Sequence, residues 1–219
     1  MSSDSVQGAV SRDIEVSPNW PIVWGLDVSR SGKDRTVMIE RRHKVVTEIW
    51  AYDGAPDLMA LCGWVREKYM TRPLRERPVE VCVDAIGLGA GVADRLNELD
   101  IPTVSVNVAE SASLNSEGLR LRDNLWVDCR DWFDRKDVSI PDNPKLIGDL
   151  LLPGYDFTSS GKRQVDSKAK MRRDFGRSPD YADALVLTFA SDAAAALWGS
   201  DRATSSWNKP LELPEVTYV

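Results

Sequence analysis

The stretch VEVCVDAIGLGAGVADRL, residues 79–96, decides the fold of this chain. Its first half is a short β-branched run that ends at Asp84, and its glycines lead into a helical pattern over residues 92–99. A further β-branched run at residues 103–108 completes a strand-helix-strand unit, which is expected to be parallel and right-handed. The sequence therefore predicts an α/β protein.

Three strand-like runs precede this unit. The first, PIVWGLDV at residues 21–28, is almost wholly apolar and reaches Asp27 near its end. Residues 36–41 and 45–50 follow with short connections, which favour an antiparallel meander. The expected sheet is therefore mixed, with a meander joined to parallel strands.

Helices are predicted on both sides of the unit from apolar spacing of three to four residues and from N-terminal signals. They cover residues 56–70, 118–135, 143–152 and about 179–197. A hairpin is expected at residues 154–166, around Ser159-Ser160-Gly161. The ends lack sustained periodicity, so we expect a tail or linker at 1–19, one domain at 20–198 and a tail at 199–219.

Composition excludes several kinds of chemistry. With one histidine, His43, the chain has neither a His-ligated zinc site nor an HExxH metalloprotease motif. Three widely spaced cysteines predict reduced, buried thiols. The chain has no GxxxxGK[ST] motif, which is the phosphate-binding motif that a Walker-type ATPase motor would need. Apolar stretches are too short for a membrane span and the N-terminus is unlike a signal peptide, so a soluble intracellular protein is expected.

Aspartates at the ends of predicted elements are the strongest functional signal. Asp27 and Asp84 end two strands, and Asp183 lies in the first turn of the last helix, close to Asp180. Strand ends of an α/β sheet meet at one edge, where clustered carboxylates need a counter-ion. Oxygen ligands without histidine suit Mg²⁺ or Mn²⁺, and two such ions support phosphoryl transfer.

The glycine run 87–91 is interpreted as a tight strand-to-helix turn. A dinucleotide fingerprint would need its third glycine at position 92, which is Val92. The preceding Asp84 would also repel a pyrophosphate.

Basic side chains are concentrated in two segments although the net charge is −6. Residues 159–177 hold seven basic and two acidic side chains, and residues 30–44 hold six and two. Such segments beside the acidic site suit a polyanion such as DNA. The candidates for DNA contact are Lys33, Lys162, Arg163, Lys168, Lys170, Arg172 and Arg173.

The order of these elements resembles the nuclease domain of the large terminase subunits of tailed bacteriophages. The resemblance covers about residues 20–195 and depends most on VDAIGLGAG and PDYADAL, residues 83–91 and 179–185. It implies an RNase H-like fold, a mixed sheet flanked by helices. It also implies an endonuclease that cuts concatemeric double-stranded viral DNA by a two-metal-ion mechanism.

By this resemblance Asp27, Asp84 and Asp183 would hold two Mg²⁺ or Mn²⁺ ions, with Asp27 bridging and Asp180 accessory. The implied partners are double-stranded DNA, a packaging ATPase domain, a portal protein and a small terminase subunit, in the cytoplasm of an infected bacterium. Large terminase subunits carry an N-terminal ATPase domain that this sequence does not contain, so the resemblance leads us to expect either an excised C-terminal domain or a separately encoded nuclease.

Other interpretations remain open from the residues alone. Another RNase H-like nuclease, such as a junction resolvase or an RNA-DNA hybrid nuclease, would have the same carboxylates. An actin-like or sugar-kinase-like fold also has an aspartate after its first strand, but it needs a second phosphate loop. A DNA-docking module without catalysis is the remaining alternative.

Overall fold

A five-stranded mixed sheet forms the centre of the computed structural model, which describes residues 1–29, 35–54, 57–112 and 117–197. Strand order is β3-β2-β1-β4-β5, in which β1 pairs antiparallel with β2 and parallel with β4. The strands are β1 (Ile22–Asp27), β2 (Thr36–Arg42), β3 (Val45–Tyr52), β4 (Glu80–Asp84) and β5 (Thr103–Val106). The α/β class and the mixed sheet are therefore confirmed.

Eight helices and a small hairpin surround this sheet in the described part of the chain. The helices are α1 (Ser3–Val10), α2 (Leu58–Met70), α3 (Leu88–Glu98), α4 (Leu121–Asp134), α5 (Pro144–Leu150), α6 (Lys168–Phe175), α7 (Asp180–Leu187) and α8 (Asp192–Leu197). The hairpin pairs β6 (Tyr155–Phe157) with β7 (Arg163–Val165). None of the described helices has the length and apolarity needed to cross a bilayer.

Both faces of the sheet are buried, which explains why its central strands are almost continuously apolar. On one face Trp24, Leu26 and Met38 pack in a cluster with residues of α2 and α3. On the other face Val23 and Val37 pack in a cluster with residues of α1, α4, α5 and α7. Successive residues of β1 thus alternate between two cores, as the two-residue repeat of a strand requires.

The two strand ends that carry Asp27 and Asp84 each depend on a glycine. A Cβ at Gly25 would lie 2.0 Å from the carbonyl oxygen of Ala184, so α7 packs directly on the backbone of β1. A Cβ at Gly89 would lie 1.7 Å from the carbonyl oxygen of Asp84. The tight strand-to-helix turn predicted for the glycine run is present, and α3 begins four residues earlier than predicted.

The structure differs from the prediction at three places. Residues 1–19 do not form a tail throughout, because α1 buries Val6 and Ala9 in the core beside α4. Val6, Ala9 and Val10 have helical spacing, but a helix of eight residues is too short to be stable without its tertiary contacts. The last helix is broken at Ser191, whose hydroxyl accepts the Ala194 N–H and starts α8. The basic segment folds as helix α6, and residues 198–219 lie outside the described residues.

Candidate active site

Three aspartates meet at the edge of the sheet where β1 and β4 end. Asp27 and Asp84 are the last residues of these two neighbouring parallel strands. Asp183 lies in the first turn of α7, the helix that packs on β1. All three line one small cavity, and Asp27 and Asp84 also line a neighbouring open cavity of about 350 Å³. The spatial association predicted from the sequence is therefore present.

An ammonium group lies among these carboxylates. Lys168, the first residue of α6, places Nζ 3.0 and 3.1 Å from the two carboxylate oxygens of Asp27 and 3.1 Å from Oδ2 of Asp183. The serine before it, Ser167, accepts the Lys170 N–H and so caps the helix that carries Lys168. Lys168 was expected to contact DNA, and here it neutralises the acidic cluster.

The carboxylates differ in their affinity for protons. Burial raises the pKa of Asp27 to about 7, with Asp183 and Asp180 adding repulsion and Lys168 opposing the rise. Burial also raises the pKa of Asp84. For Asp183 the same desolvation is outweighed by the charges of Lys168 and Arg122, so its pKa is lowered. Asp183 therefore stays ionised, while Asp27 can accept a proton near neutral pH.

The two oxygens of Asp183 have different surroundings. Oδ1 accepts hydrogen bonds from Trp126 Nε1 at 3.2 Å and from Arg122 Nη2 at 3.3 Å. Oδ2 is fully buried, and its partner among the described residues is the ammonium of Lys168, 3.1 Å away. A buried carboxylate oxygen that is compensated by a cationic group fits a site for a cation.

Asp84 and Asp180 are each held by the backbone. Asp84 accepts the Ile86 N–H at 3.0 Å, within the strand-to-helix turn. Asp180 accepts the Ser178 hydroxyl at one oxygen and the Arg35 N–H, 2.9 Å away, at the other. Asp180 therefore connects the start of β2 to α7. Both of its oxygens already accept hydrogen bonds from the protein, so it is less available to a metal ion than the predicted accessory role requires.

The described acidic, cysteine and histidine side chains contain no group of three with the spacing of a preformed metal site. The donor set nevertheless suits a hard cation, because it consists of carboxylate oxygens and one of them, Oδ2 of Asp183, is buried against the ammonium of Lys168. A bound cation would take over the role that the ammonium of Lys168 has here.

Few of the predicted basic residues line the larger cavity. Lys168 and Arg172 do so. Arg163 is paired with Glu117, Lys170 with Asp166 and Arg173 with Asp174. Lys162 immediately precedes β7 and does not line the larger cavity. Lys33 lies outside the described residues.

Sequence reasoning missed the contribution of α4 to the site. Arg120 and Arg122 line the larger cavity together with Gln164 of the hairpin, and Trp126 contacts Asp183. A signal was present, because Arg122 shares one helical stripe with the buried Trp126 and Phe133. An arginine on a buried stripe needs an anionic or carbonyl partner.

The fold and the acidic edge together define the class of protein that the structure resembles. No protein-family model matches the sequence, and no curated protein gives a significant match. Among solved structures, the nuclease domain of the large terminase subunit gp2 of bacterial virus Sf6, in a mutant form with manganese and β-thujaplicinol, superposes with a TM-score of 0.71 at 16% identity. That match covers 86% of this chain and 96% of that domain.

Two further phage nucleases have the same fold. The large terminase nuclease of the thermophilic phage G20c matches with a TM-score of 0.62 at 14% identity, over 87% of this chain and 99% of that one. The large terminase nuclease domain of Thermus phage P74-26 matches at 0.57 and 13% identity, over 85% and 93%. This chain therefore has the RNase H-like fold of large terminase nuclease domains, which confirms the predicted fold and its resemblance.

Proposed function

We propose that this chain is a divalent-metal-dependent endonuclease domain that cleaves double-stranded DNA during phage genome packaging. The observation that carries the proposal is the convergence of Asp27, Asp84 and Asp183 at the open edge of this fold. Structures with the same fold contain manganese in the Sf6 domain and magnesium or cobalt in the G20c nuclease. The same class of cation suits the oxygen donors here.

Asp27, Asp84 and Asp183 are the residues that would hold Mg²⁺ or Mn²⁺. When bound, two such cations would offset the negative charge of a phosphodiester and lower the pKa of water, so that hydroxide is available as the nucleophile near neutral pH. Asp27 is central among the three, since it shares Lys168 with Asp183 and ends the strand beside that of Asp84. Its central position supports the bridging role expected for it, and Oδ2 of Asp183 supplies a second ionised ligand.

The lining of the larger cavity combines basic, acidic and apolar side chains. The basic ones are Arg120, Arg122, Lys168 and Arg172, the acidic ones are Asp27, Asp84, Asp123 and Asp180, and the apolar ones are Val28, Ile86, Val108 and Ala109. Guanidinium groups suit phosphate oxygens, and apolar side chains carry no hydrogen-bonding group that reads a base. Arginines beside a carboxylate cluster support a polynucleotide substrate that is held by its backbone with little sequence preference.

Plasmid cleavage tests the proposal. The purified chain with Mn²⁺ or Mg²⁺ should convert supercoiled plasmid to nicked and linear forms, and chelation should stop the reaction. Asp27→Asn and Asp84→Asn should each lower the rate at least about 100-fold, because each removes a charged ligand. Asp131→Asn is the matched control, since Asp131 lies on the surface of α4 paired with Arg130. Full activity of both site variants would refute the site.

Substrate choice separates the proposed function from its relatives. Linear duplex, a four-way junction and an RNA-DNA hybrid should be compared under one metal concentration. Preference for duplex supports a packaging nuclease, whereas preference for the junction or the hybrid would support the other RNase H-like nucleases. Unchanged plasmid topology despite measurable DNA binding would support a docking module, and thermal stabilisation by ATP would support the actin-like alternative.

We further propose that this chain acts within a genome-packaging machine. A packaging ATPase domain, a portal protein and a small terminase subunit are the partners that the resemblance implies, in the cytoplasm of an infected bacterium. A nuclease that cuts packaged DNA must be restrained between its first and last cuts. The Lys168 ion pairs support such restraint, because a cation has to displace this ammonium before it reaches Asp27 and Asp183.

A further inference from the structure

Two side chains of helix α4, Trp126 and Arg122, donate hydrogen bonds to Asp183. Trp126 donates its indole N–H to Oδ1 at 3.2 Å, and Arg122 donates from Nη2 to the same oxygen at 3.3 Å. Asp183 and Trp126 are only 7% and 5% exposed. Both donors therefore reach the same oxygen of a buried carboxylate, Trp126 from the core and Arg122 from the lining of the cavity.

These donors are themselves fixed in place. Arg122 also donates from Nη1 to the carbonyl oxygen of Asp166 at 3.0 Å, and its guanidinium lies 5.8 Å from the ring centre of Trp126. The backbone N–H of Arg122 bonds to the carbonyl oxygen of Val108, next to the edge strand β5. The first turn of α4 is thus attached to the sheet and to the segment before α6, and neither donor is free to follow a rotating carboxylate.

The consequence is an asymmetric carboxylate. Two donors satisfy Oδ1, so Oδ2 is the oxygen left facing Lys168 and Asp27. We propose that Trp126 and Arg122 are positioning residues, which hold Asp183 so that it binds a divalent cation through Oδ2 alone. This inference rests on the proposed metal-dependent function and adds the residues that orient one of its ligands.

Orientation matters here because three carboxylates share a small volume. Asp183 without its donors would be repelled by Asp27 and Asp84 and would gain by turning its charge away from them. Donors behind a ligating carboxylate fix the direction of its lone pairs, and loss of such partners commonly costs 10- to 100-fold in metal affinity. Trp126 gives Asp183 a rigid hydrogen-bond donor, and Arg122 gives it a positively charged one.

Trp126→Phe tests the role of the indole, because it keeps most of the aromatic volume and removes the N–H. Trp132→Phe is the matched control. Trp132 lies on the same helix, is also 5% exposed and donates its indole N–H to the carbonyl oxygen of His43, far along the helix from Asp183. Both variants lose one buried indole hydrogen bond, so thermal unfolding should show similar losses of stability.

Calorimetric titration of the full chain with Mn²⁺, without DNA, should then separate them. Trp126→Phe should weaken Mn²⁺ binding about tenfold, while Trp132→Phe should bind as the wild type does. Arg122→Gln serves as a second variant, should Trp126→Phe fold poorly, and should weaken binding by a similar factor. In plasmid cleavage, Trp126→Phe should need about tenfold more Mg²⁺ for half-maximal rate and should recover most of its activity at saturation.

Nuclear magnetic resonance gives an independent signature. The indole N–H resonance that disappears in Trp126→Phe should shift when Mg²⁺ is added to the wild type, and the one that disappears in Trp132→Phe should not. Equal Mn²⁺ affinity in Trp126→Phe, Arg122→Gln and wild type would overturn the inference alone. Equal weakening by Trp126→Phe and Trp132→Phe would also overturn it, as a general packing effect. Absence of divalent binding by the wild type would instead overturn the proposed function together with it.

Discussion

Replacement of Lys168 by methionine tests whether its ammonium competes with metal for the acidic cluster. Nζ makes three contacts of 3.0 to 3.1 Å with oxygens of Asp27 and Asp183, at a position where both partners are buried. A cation that binds these oxygens must break the ion pairs in the wild type but not in Lys168→Met. Methionine keeps much of the aliphatic stem and is a good helix former, so α6 should persist.

The size of the effect follows from two opposing terms. Displacing the ammonium loses a charge-assisted contact to each of two carboxylates, at about 1.5–3 kcal/mol per contact, and the variant does not have this loss when metal binds. Without the ammonium, however, the pKa of Asp27 rises further, and releasing a proton costs about 1.4 kcal/mol for each pH unit below that pKa. The balance leaves roughly 1.5–3 kcal/mol, so Mn²⁺ should bind about 10- to 100-fold more tightly to Lys168→Met than to the wild type at pH 8.

Calorimetric titration with Mn²⁺ at pH 8, without DNA, measures this difference. Lys170→Met is the matched control, because Lys170 lies on the same helix and its ion pairs are with Asp166 and Asp156 instead of the cluster. Cleavage is a poor readout for this variant, since Lys168 also lines the larger cavity, where the proposed substrate would lie. Unchanged or weaker Mn²⁺ binding by Lys168→Met would refute the idea that the ammonium occupies the cation site.

Two further predictions concern protonation and packing. Because protons and cations compete for Asp27, whose pKa is raised to about 7, the Mn²⁺ affinity of the wild type should rise with pH up to about 7 and level off above it. Titrations from pH 5.5 to 8.5 check this, and an affinity that is flat below pH 7 would contradict it. Gly25→Ala should destabilise the fold by more than about 3 kcal/mol in urea unfolding, since its Cβ would lie 2.0 Å from the Ala184 carbonyl oxygen. Gly63→Ala, with open space around its Cβ on the exposed face of α2, should instead stabilise by about 0.5–1 kcal/mol, and similar losses in both variants would exclude the packing argument.

Local patterns in the sequence were enough to predict the sheet and the position of two aspartates. Strands β1 and β4 are buried on both faces of the sheet, so each is a continuous apolar segment in the sequence. Asp27 and Asp84 are the last residues of these segments and lie at the edge of the sheet. Because neighbouring parallel strands end at the same edge of a sheet, the sequence is enough to place the two carboxylates together. Asp183 followed from its place in the first turn of a strongly apolar helix.

The sequence by itself therefore determined the fold class, the mixed sheet and the set of acidic residues, because these depend on periodicity within short segments. Only the tertiary structure decided which groups touch those acids. Lys168 and Trp126 come from helices separated from Asp27 by about a hundred residues or more, and no local pattern distinguishes a lysine beside a carboxylate from one in solvent. Their roles arise from the packing of α4 and α6 against the edge of the sheet, which is a property of the whole core.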